Sequence, residues 1–265
     1  MAKIARFRTR DGAVRYGVLE GEDTLRTIDG DPFGEWRVTD ARVPLAHVRL
    51  LAPVDPPNII AIGLNYRAHA IESGERLPER PIVFLKATSS LCGPEDAIIL
   101  PRVAPDEVDF EGELTIVIGR SAHHVPVESA LSYALGYTCG NDVSARDCIL
   151  RLDTQLARGK SFDTFAPLGP WIETDLDPEN APIRTRLNGT VMQESNTSDL
   201  IFSCAQLISY LSDNMTLLPG TVIMTGTPSG VGFARKPPVY LRPGDVIEIE
   251  VDGIGTLRNT IVAEE

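Results

Sequence analysis

The sequence predicts a strand-rich α+β fold, and three observations carry that reading. Apolar or β-branched runs such as NIIAIG at 58–63, PIVFLK at 81–86 and ELTIVIG at 113–119 have the length of strands. Two turn signatures, Asn188-Gly189 in IRTRLNGTVMQES and Asp252-Gly253 in VIEIEVDGIGTLRNTIV, mark hairpins, because both favour the left-handed backbone that twisted paired strands require. Helical spacing is confined to short stretches. The clearest is DLIFSCAQLISYLSDN at 199–214, where Ile201, Ala205 and Ile208 form an apolar stripe and Ser198 is placed to cap its start.

Taken in order, residues 1–52 read as a small N-terminal subdomain of short strands, KIARFRT, AVRYGVL and DTLRTI, separated by DG and GED turns. It carries no recognisable chemistry, and His47 within it reads as a surface or packing residue. The prolines of APVDPPN at 52–58 suit a connection to the main domain at 53–265, since proline cannot join a central ladder. After the strand NIIAIG comes LNYRAHAIESGERLPERP, framed by glycine and proline, with the composition of a mobile lid. One helical turn would bring His69 and Glu72 together, so that the carboxylate orients the imidazole; the alternative is an ordinary exposed helix pair. Lys86 closes the next strand and faces either the site or solvent. DAIILP forms another strand.

The run EVDFEGE at 107–113 is the chemical focus. In an extended chain Asp109, Glu111 and Glu113 project together and Phe110 turns away into apolar surroundings. An E-x-E pattern alone usually marks a solvated strand face. Here the buried run that follows makes a carboxylate pair costly unless a cation neutralises it. Asp142 is the best third ligand, since it ends the apolar segment LSYALGYTCGN where a strand would hand over to VSARD. Three carboxylates without nearby His or Cys favour Mg²⁺ or Mn²⁺ over zinc.

Pro126 stands near the start of a helix in PVESALSYAL, and VSARDCILRLDTQ makes a second short helix directly after Asp142. Arg146 then faces back toward the ligand, to contact substrate or to pair with Asp142 or Asp147. The adjacent His123 and His124 read as surface residues. Lys160 lies in GKSFDTF, too glycine- and aspartate-marked for a regular helix, ahead of the apolar FAPLGPWI; that setting gives it a role in the site. Cys204 reads as a small buried hydrophobe. TVIMTGTPSGVG is a strand entering a glycine-rich turn whose amides and hydroxyls suit a substrate carboxylate, with Thr225, Gly226 and Thr227 as the contacts. No Gly-Lys-Ser/Thr follows, so it is not a P-loop.

Composition bounds the function. A chain of 265 residues, 43% hydrophobic, buries a sizeable core, and a formal charge of −12 argues against nucleic acid or an anionic membrane as partner. A small anionic substrate is compatible with that charge if a divalent cation, Lys160 and Arg146 supply a local positive field. Four cysteines without C-x-x-C spacing, and an N-terminus MAKIARFRTRDG lacking an apolar targeting core, lead us to expect reduced thiols and a cytoplasmic location.

From about residue 53 onward the chain resembles the fumarylacetoacetate hydrolase family, in particular its small bacterial members acting on acylpyruvates, oxaloacetate or hydroxy-dienoate diacids. Five segments carry the resemblance: GLNYRAHAIESG at 63–74, VDFEGELTIVIG at 108–119, GNDVSARD at 140–147, GKSFDTFAPLGP at 159–170 and MTGTPSGVG at 224–232. It implies a mixed β-roll of layered sheets with short peripheral helices, assembled as a homodimer. It also implies Glu111, Glu113 and Asp142 as metal ligands, His69 and Glu72 as an acid/base pair, and Lys160 against the substrate. One position departs: members usually carry Gln where this chain has Ile149.

The expected chemistry is a metal-stabilised enolate at C3 of a chelated 2-oxo acid, an intermediate that serves hydrolysis, decarboxylation and isomerisation alike. Hydrolytic C–C cleavage of an acylpyruvate-type substrate is the first expectation, with His69 and Glu72 activating water and Lys160 stabilising the oxyanion. An oxaloacetate-type decarboxylase or a 2-hydroxy-dienoate diacid isomerase is the alternative, and a non-catalytic metal-binding module the remote one.

Overall fold

The structure, a computed structural model, describes residues 2–152 and 155–265. Among the described residues its centre is a large sheet of twelve strands, ten in one path with Arg49–Leu50 and Leu91–Cys92 paired off it, and a five-stranded sheet packs against one face. From one edge, the large sheet runs Trp36–Pro44, Thr24–Gly30, Val14–Glu20, Lys3–Arg8, Ala166–Glu173, Ala134–Asn141, Gly112–Ile118, Val222–Met224, Ile59–Ile62 and Val83–Lys86. The second sheet runs Thr190–Asn196, Pro182–Leu187, Val246–Val251, Gly255–Ala263 and Ala97–Leu100. Helices are few and short. This is the strand-rich α+β architecture expected from the hairpin signatures and strand-length runs, with the layered sheets that the family resemblance implied.

Both hairpins form where the turn residues placed them. Asn188 and Gly189 have φ of 52° and 79°, and Leu187 pairs with Thr190 across them. Asp252 and Gly253 lie in the turn between Val246–Val251 and Gly255–Ala263. The N-terminal strands do not stand apart: Lys3 and Ile4 pair with Glu173 and Ile172, so the first fifty residues extend the large sheet. The strand Trp36–Pro44 was not anticipated; its residues are mostly exposed and show no alternation.

The core lies between the sheets, where Leu114 and Ile116 meet Ile183, Ile249 and Leu257. On the opposite face Val117, Val222, Met224 and Ile59 form a second apolar cluster. The strand Gly112–Ile118 is therefore buried on both faces, as its unbroken β-branched run requires.

Several local expectations are corrected. The helix Cys204–Asn214 is capped by Ser203, not Ser198, because Gln206 completes a capping box with it; Ser198 sits in the single turn Thr197–Asp199. Of the expected stripe, Ile201 precedes that helix, and Leu207, Ile208 and Leu211 are its buried apolar residues. VSARDCILRLDTQ is not one α-helix. Ser144–Ala145 is a strand paired with Val108–Asp109, and Cys148–Leu152 takes a π-helical winding, a feature often found at functional sites. The part of that expectation on Asp153 and Thr154 lies outside the described residues. Lys160 does end a regular helix, Leu156–Lys160. Cys204 is fully buried, as expected. His47, His123 and His124 are exposed.

The two sheets approach closely at Gly112. A Cβ added there would overlap the Thr185 hydroxyl of the second sheet and lie 3.1 Å from the Ile249 Cδ1. Gly112→Ala is therefore expected to cost about 1–3 kcal/mol in urea denaturation, and to cost less when Thr185→Ala removes the obstructing hydroxyl. An equal loss in both backgrounds would show that the crowding does not involve Thr185.

Candidate metal centre and active site

The site is created by strand register. Gly112 pairs with Asn141 and Glu113 with Gly140 across two antiparallel strands, so Glu111 and Asp142 meet just beyond the ladder. The Asp142 amide donates to Glu111 O at 2.9 Å, and the Glu111 amide donates to Asn141 Oδ1 at 3.0 Å. Glu113 shares the face of Glu111. Carboxylate oxygens of Glu111, Glu113 and Asp142 lie within 4.8 Å of one another, all buried, which brings together the three expected ligands.

Three cations and several amides hold these charges. Lys160 Nζ donates to Glu111 Oε2 at 2.8 Å and to Asp142 Oδ2 at 2.5 Å. Lys86 faces the site, not solvent: its Nζ pairs with Asp142 Oδ1 and donates to Val143 O at 3.2 Å. Arg146 pairs with neither Asp142 nor Asp147; its Nη2 donates to Glu111 Oε1 at 2.5 Å and its Nε to Asp109 Oδ2 at 2.9 Å. Its guanidinium also lies 4.3 Å from the Phe233 ring centroid. Asp109 thus stands outside the triad, because the chain breaks its extended course between Val108–Asp109 and Gly112–Ile118. Phe110 is buried in the core as expected.

The glycine-rich turn after Val222–Met224 binds the protein's own carboxylates. The Gly226 amide donates to Glu113 Oε2 at 2.8 Å, the Gly230 amide to both oxygens of Glu72 at 2.9 and 3.0 Å, and the Gly232 amide to Asp109 Oδ1 at 2.8 Å. Glycine is required at Gly230, whose φ is 103° and whose Cβ would strike Met192 O. The Thr225 hydroxyl is spent on Leu114 O at 2.8 Å, away from the cavity. The Thr227 hydroxyl donates to Gly112 O at 3.0 Å. Of the three residues expected to touch substrate here, Thr227 alone lines the cavity.

His69 and Glu72 share the short helix Arg67–Ser73, with Nδ1 and Oε2 3.1 Å apart. His69, Glu111, Arg146 and Lys160 line one cavity of about 330 Å³, the right scale for a small metabolite. Ile149 and Leu150 complete part of its wall.

The electrostatics set the three carboxylates apart. Burial penalises the Glu111 charge, but Lys160 and Arg146 more than offset this and hold its carboxyl well below the usual range. Glu113 makes no ion pair among the described residues: burial first, then the charges of Asp142 and Glu111, push its carboxyl well above that range against the weaker pull of Lys160. Burial pushes the Lys86 ammonium down despite Asp142, whereas Lys160, also buried, is raised by Asp142 and Glu111. Three converging buried oxygens, one of them lacking a counter-cation, fit a hard divalent ion.

Sequence reasoning set Asp109 beside Glu111 and Glu113 without its Arg146 partner, missed Phe233 and Gly230, and left Lys86 undecided. The G-V-G-F spacing at 230–233 was the available signal for close backbone approach.

Comparison with known proteins identifies the class. The model for the fumarylacetoacetate (FAA) hydrolase C-terminal family matches residues 58–262, and one described as Rv2993c-like, N-terminal, matches residues 2–53. The chain belongs to the fumarylacetoacetate hydrolase family and is an enzyme of that family. The fumarylacetoacetate hydrolase domain-containing protein 2 homolog of Dictyostelium discoideum is 48% identical over 84% of this chain and 77% of its own length. The mitochondrial oxaloacetate tautomerase Fahd2a of Rattus norvegicus is 44% identical over 83% of this chain and 71% of its own. The crystal structure of the 2-hydroxyhepta-2,4-diene-1,7-dioate isomerase of Mycobacterium marinum superposes with a TM-score of 0.89 at 42% identity, covering 100% of this chain and 99% of that one. No helix among the described residues is long and apolar enough to cross a membrane.

The raised carboxyl of Glu113 has a consequence for stability. The folded protein keeps a proton there that the unfolded chain releases above about pH 4.3, so this group's contribution is complete below that pH and is lost as pH rises toward the folded value. In chelator, Glu113→Gln is therefore expected to become more stable relative to wild type by up to about 1.4 kcal/mol per pH unit above that point. Urea unfolding between pH 4.5 and 7.5 measures this; a difference independent of pH would show that Glu113 is not the group responsible.

Proposed function

We propose that this enzyme moves a proton at C3 of a small 2-oxo acid, interconverting keto and enol forms with the help of Mg²⁺ or Mn²⁺. The observation that carries the reading is the His69–Glu72 pair, anchored by the Gly230 amide, with His69 facing the same cavity as Glu111 and Lys160. With Nδ1–H donated to Glu72, Nε2 keeps its lone pair and acts as the base; Glu72 then stabilises the imidazolium until the proton is returned. Glu111, Glu113 and Asp142 would hold the divalent ion, which when bound polarises the 2-oxo group and makes the C3 proton more acidic. Lys160 and Arg146 keep Glu111 ionised for that purpose. The names of the tautomerase and isomerase relatives support the same proton transfer.

Hydrolytic cleavage, the first expectation from sequence, needs one thing more: a donor for the oxyanion on the distal carbonyl. Lys160 is bonded to Glu111 and Asp142, Arg146 to Asp109 and Glu111, and the Thr227 hydroxyl to Gly112 O. The cavity supports enolisation better. Decarboxylation of oxaloacetate would draw on the same activated C3. A non-catalytic metal-binding module finds no support in relatives that carry enzyme names.

The test follows the enol absorbance of 2-oxo acids with metal-stripped protein, with and without added Mg²⁺ or Mn²⁺, while NMR identifies the product. Metal-dependent conversion to the keto acid is expected. His69→Ala should lower kcat/KM by about 10²- to 10⁴-fold, and Glu111→Gln should abolish metal rescue. Unchanged turnover in His69→Ala would remove the base assignment; pyruvate and a free acid from acetylpyruvate would return the enzyme to the hydrolases.

A further inference from the structure

The cavity that holds His69 and Lys160 has a second character. Away from the charged residues its wall includes Ile82, Ile149, Leu150 and Leu156, contributed by three separate segments of the chain. Ile149 packs on the backbone beside Lys160: a Cβ on Gly159 would lie 2.5 Å from Ile149 Cγ1. Ile149 is half-buried, and Leu150 is 60% exposed at the mouth.

Charge in this wall is unfavourable to a second anionic group. Among the described lining residues the two permanent cations are Arg146 and Lys160, and both are committed to Asp109, Glu111 and Asp142. The remaining charged lining residue outside the metal cluster is Glu75, an acid. A substrate carrying a distal carboxylate would have to give up hydration against isoleucine and leucine in a cavity whose wall also carries Glu75. An alkyl or aryl tail would instead gain from burial in the same place.

We infer that the enzyme acts on 2-oxo monocarboxylates whose group beyond C3 is apolar, and that Ile149 is a residue that sets this specificity against diacids. This rests on the proton-transfer reading above and adds the substrate class. Gln at position 149 would place an amide donor where the tail of the substrate lies, which is how an apolar subsite becomes one that tolerates a carboxylate.

The experiment compares the enol forms of phenylpyruvate and oxaloacetate with Mg²⁺-loaded or Mn²⁺-loaded protein, reading kcat/KM for each. Wild type is expected to favour phenylpyruvate by about tenfold or more, and Ile149→Gln to shift the ratio toward oxaloacetate by about tenfold. Leu150→Arg, at an exposed position where folding is not at stake, is expected to shift it the same way. A wild-type preference for oxaloacetate, or a ratio that neither substitution moves, would overturn the inference while leaving proton transfer in place. Absence of turnover on both acids would instead sink the proton-transfer reading. The subsite is then judged by calorimetric binding to metal-loaded protein: tighter binding of phenylpyruvate upholds it, and tighter binding of oxaloacetate overturns it.

Discussion

Burial of like charges is the constraint to which the rest of this structure answers. Asp109, Glu111, Glu113 and Asp142 are all removed from water, and each would be prohibitively costly alone. Lys86, Lys160 and Arg146 offset most of that cost, and backbone amides supply part of the remainder. The compensation is uneven. Glu111 is held firmly ionised between two cations, whereas Glu113 has a single amide from Gly226 and the repulsion of its neighbours. An arrangement short of one positive charge is poised to gain from a divalent ion, and the same imbalance makes the fold sensitive to protonation.

The glycine-rich turn ties two parts of the site together. Through Gly226, Gly230 and Gly232 it reaches Glu113 of the carboxylate triad, Glu72 behind the histidine, and Asp109 behind Arg146. One segment of backbone therefore fixes the distance between the His69–Glu72 pair and the buried carboxylates. Amides suit this task, because they add donors without adding charge or rotatable bonds.

How much of this was legible in the sequence depended on whether the relevant partner was local. Glu111 and Glu113 stood out because an E-x-E pair precedes a strand too apolar to be solvated, and His69 and Glu72 because three residues make one helical turn. Asn188-Gly189 specified its hairpin through left-handed φ at both residues, and Asp252-Gly253 through that of Gly253. Contacts between distant segments were less readable. Arg146 meets Asp109 and Glu111 only once the strand Ser144–Ala145 has paired with Val108–Asp109, so its partner could not be chosen from neighbours in sequence. Thr225 resembled a ligand-binding threonine, but its hydroxyl is needed by Leu114 O on the adjoining strand. Ser198 lost the helix cap to Ser203 because the latter has Gln206 three residues on.

The strand Val83–Lys86 ends the large sheet, pairing with Ile59–Ile62 on one side and with no strand of the described residues on the other, and Val83 and Leu85 are exposed. Its last residue is also the lysine bonded to Asp142. Edge strands are typically early to exchange their amide hydrogens, since fewer bonds must break for them to lift away. Here such fraying would take an ammonium out of the buried cluster, so the charge balance at the centre of the molecule is tied to an edge of its periphery.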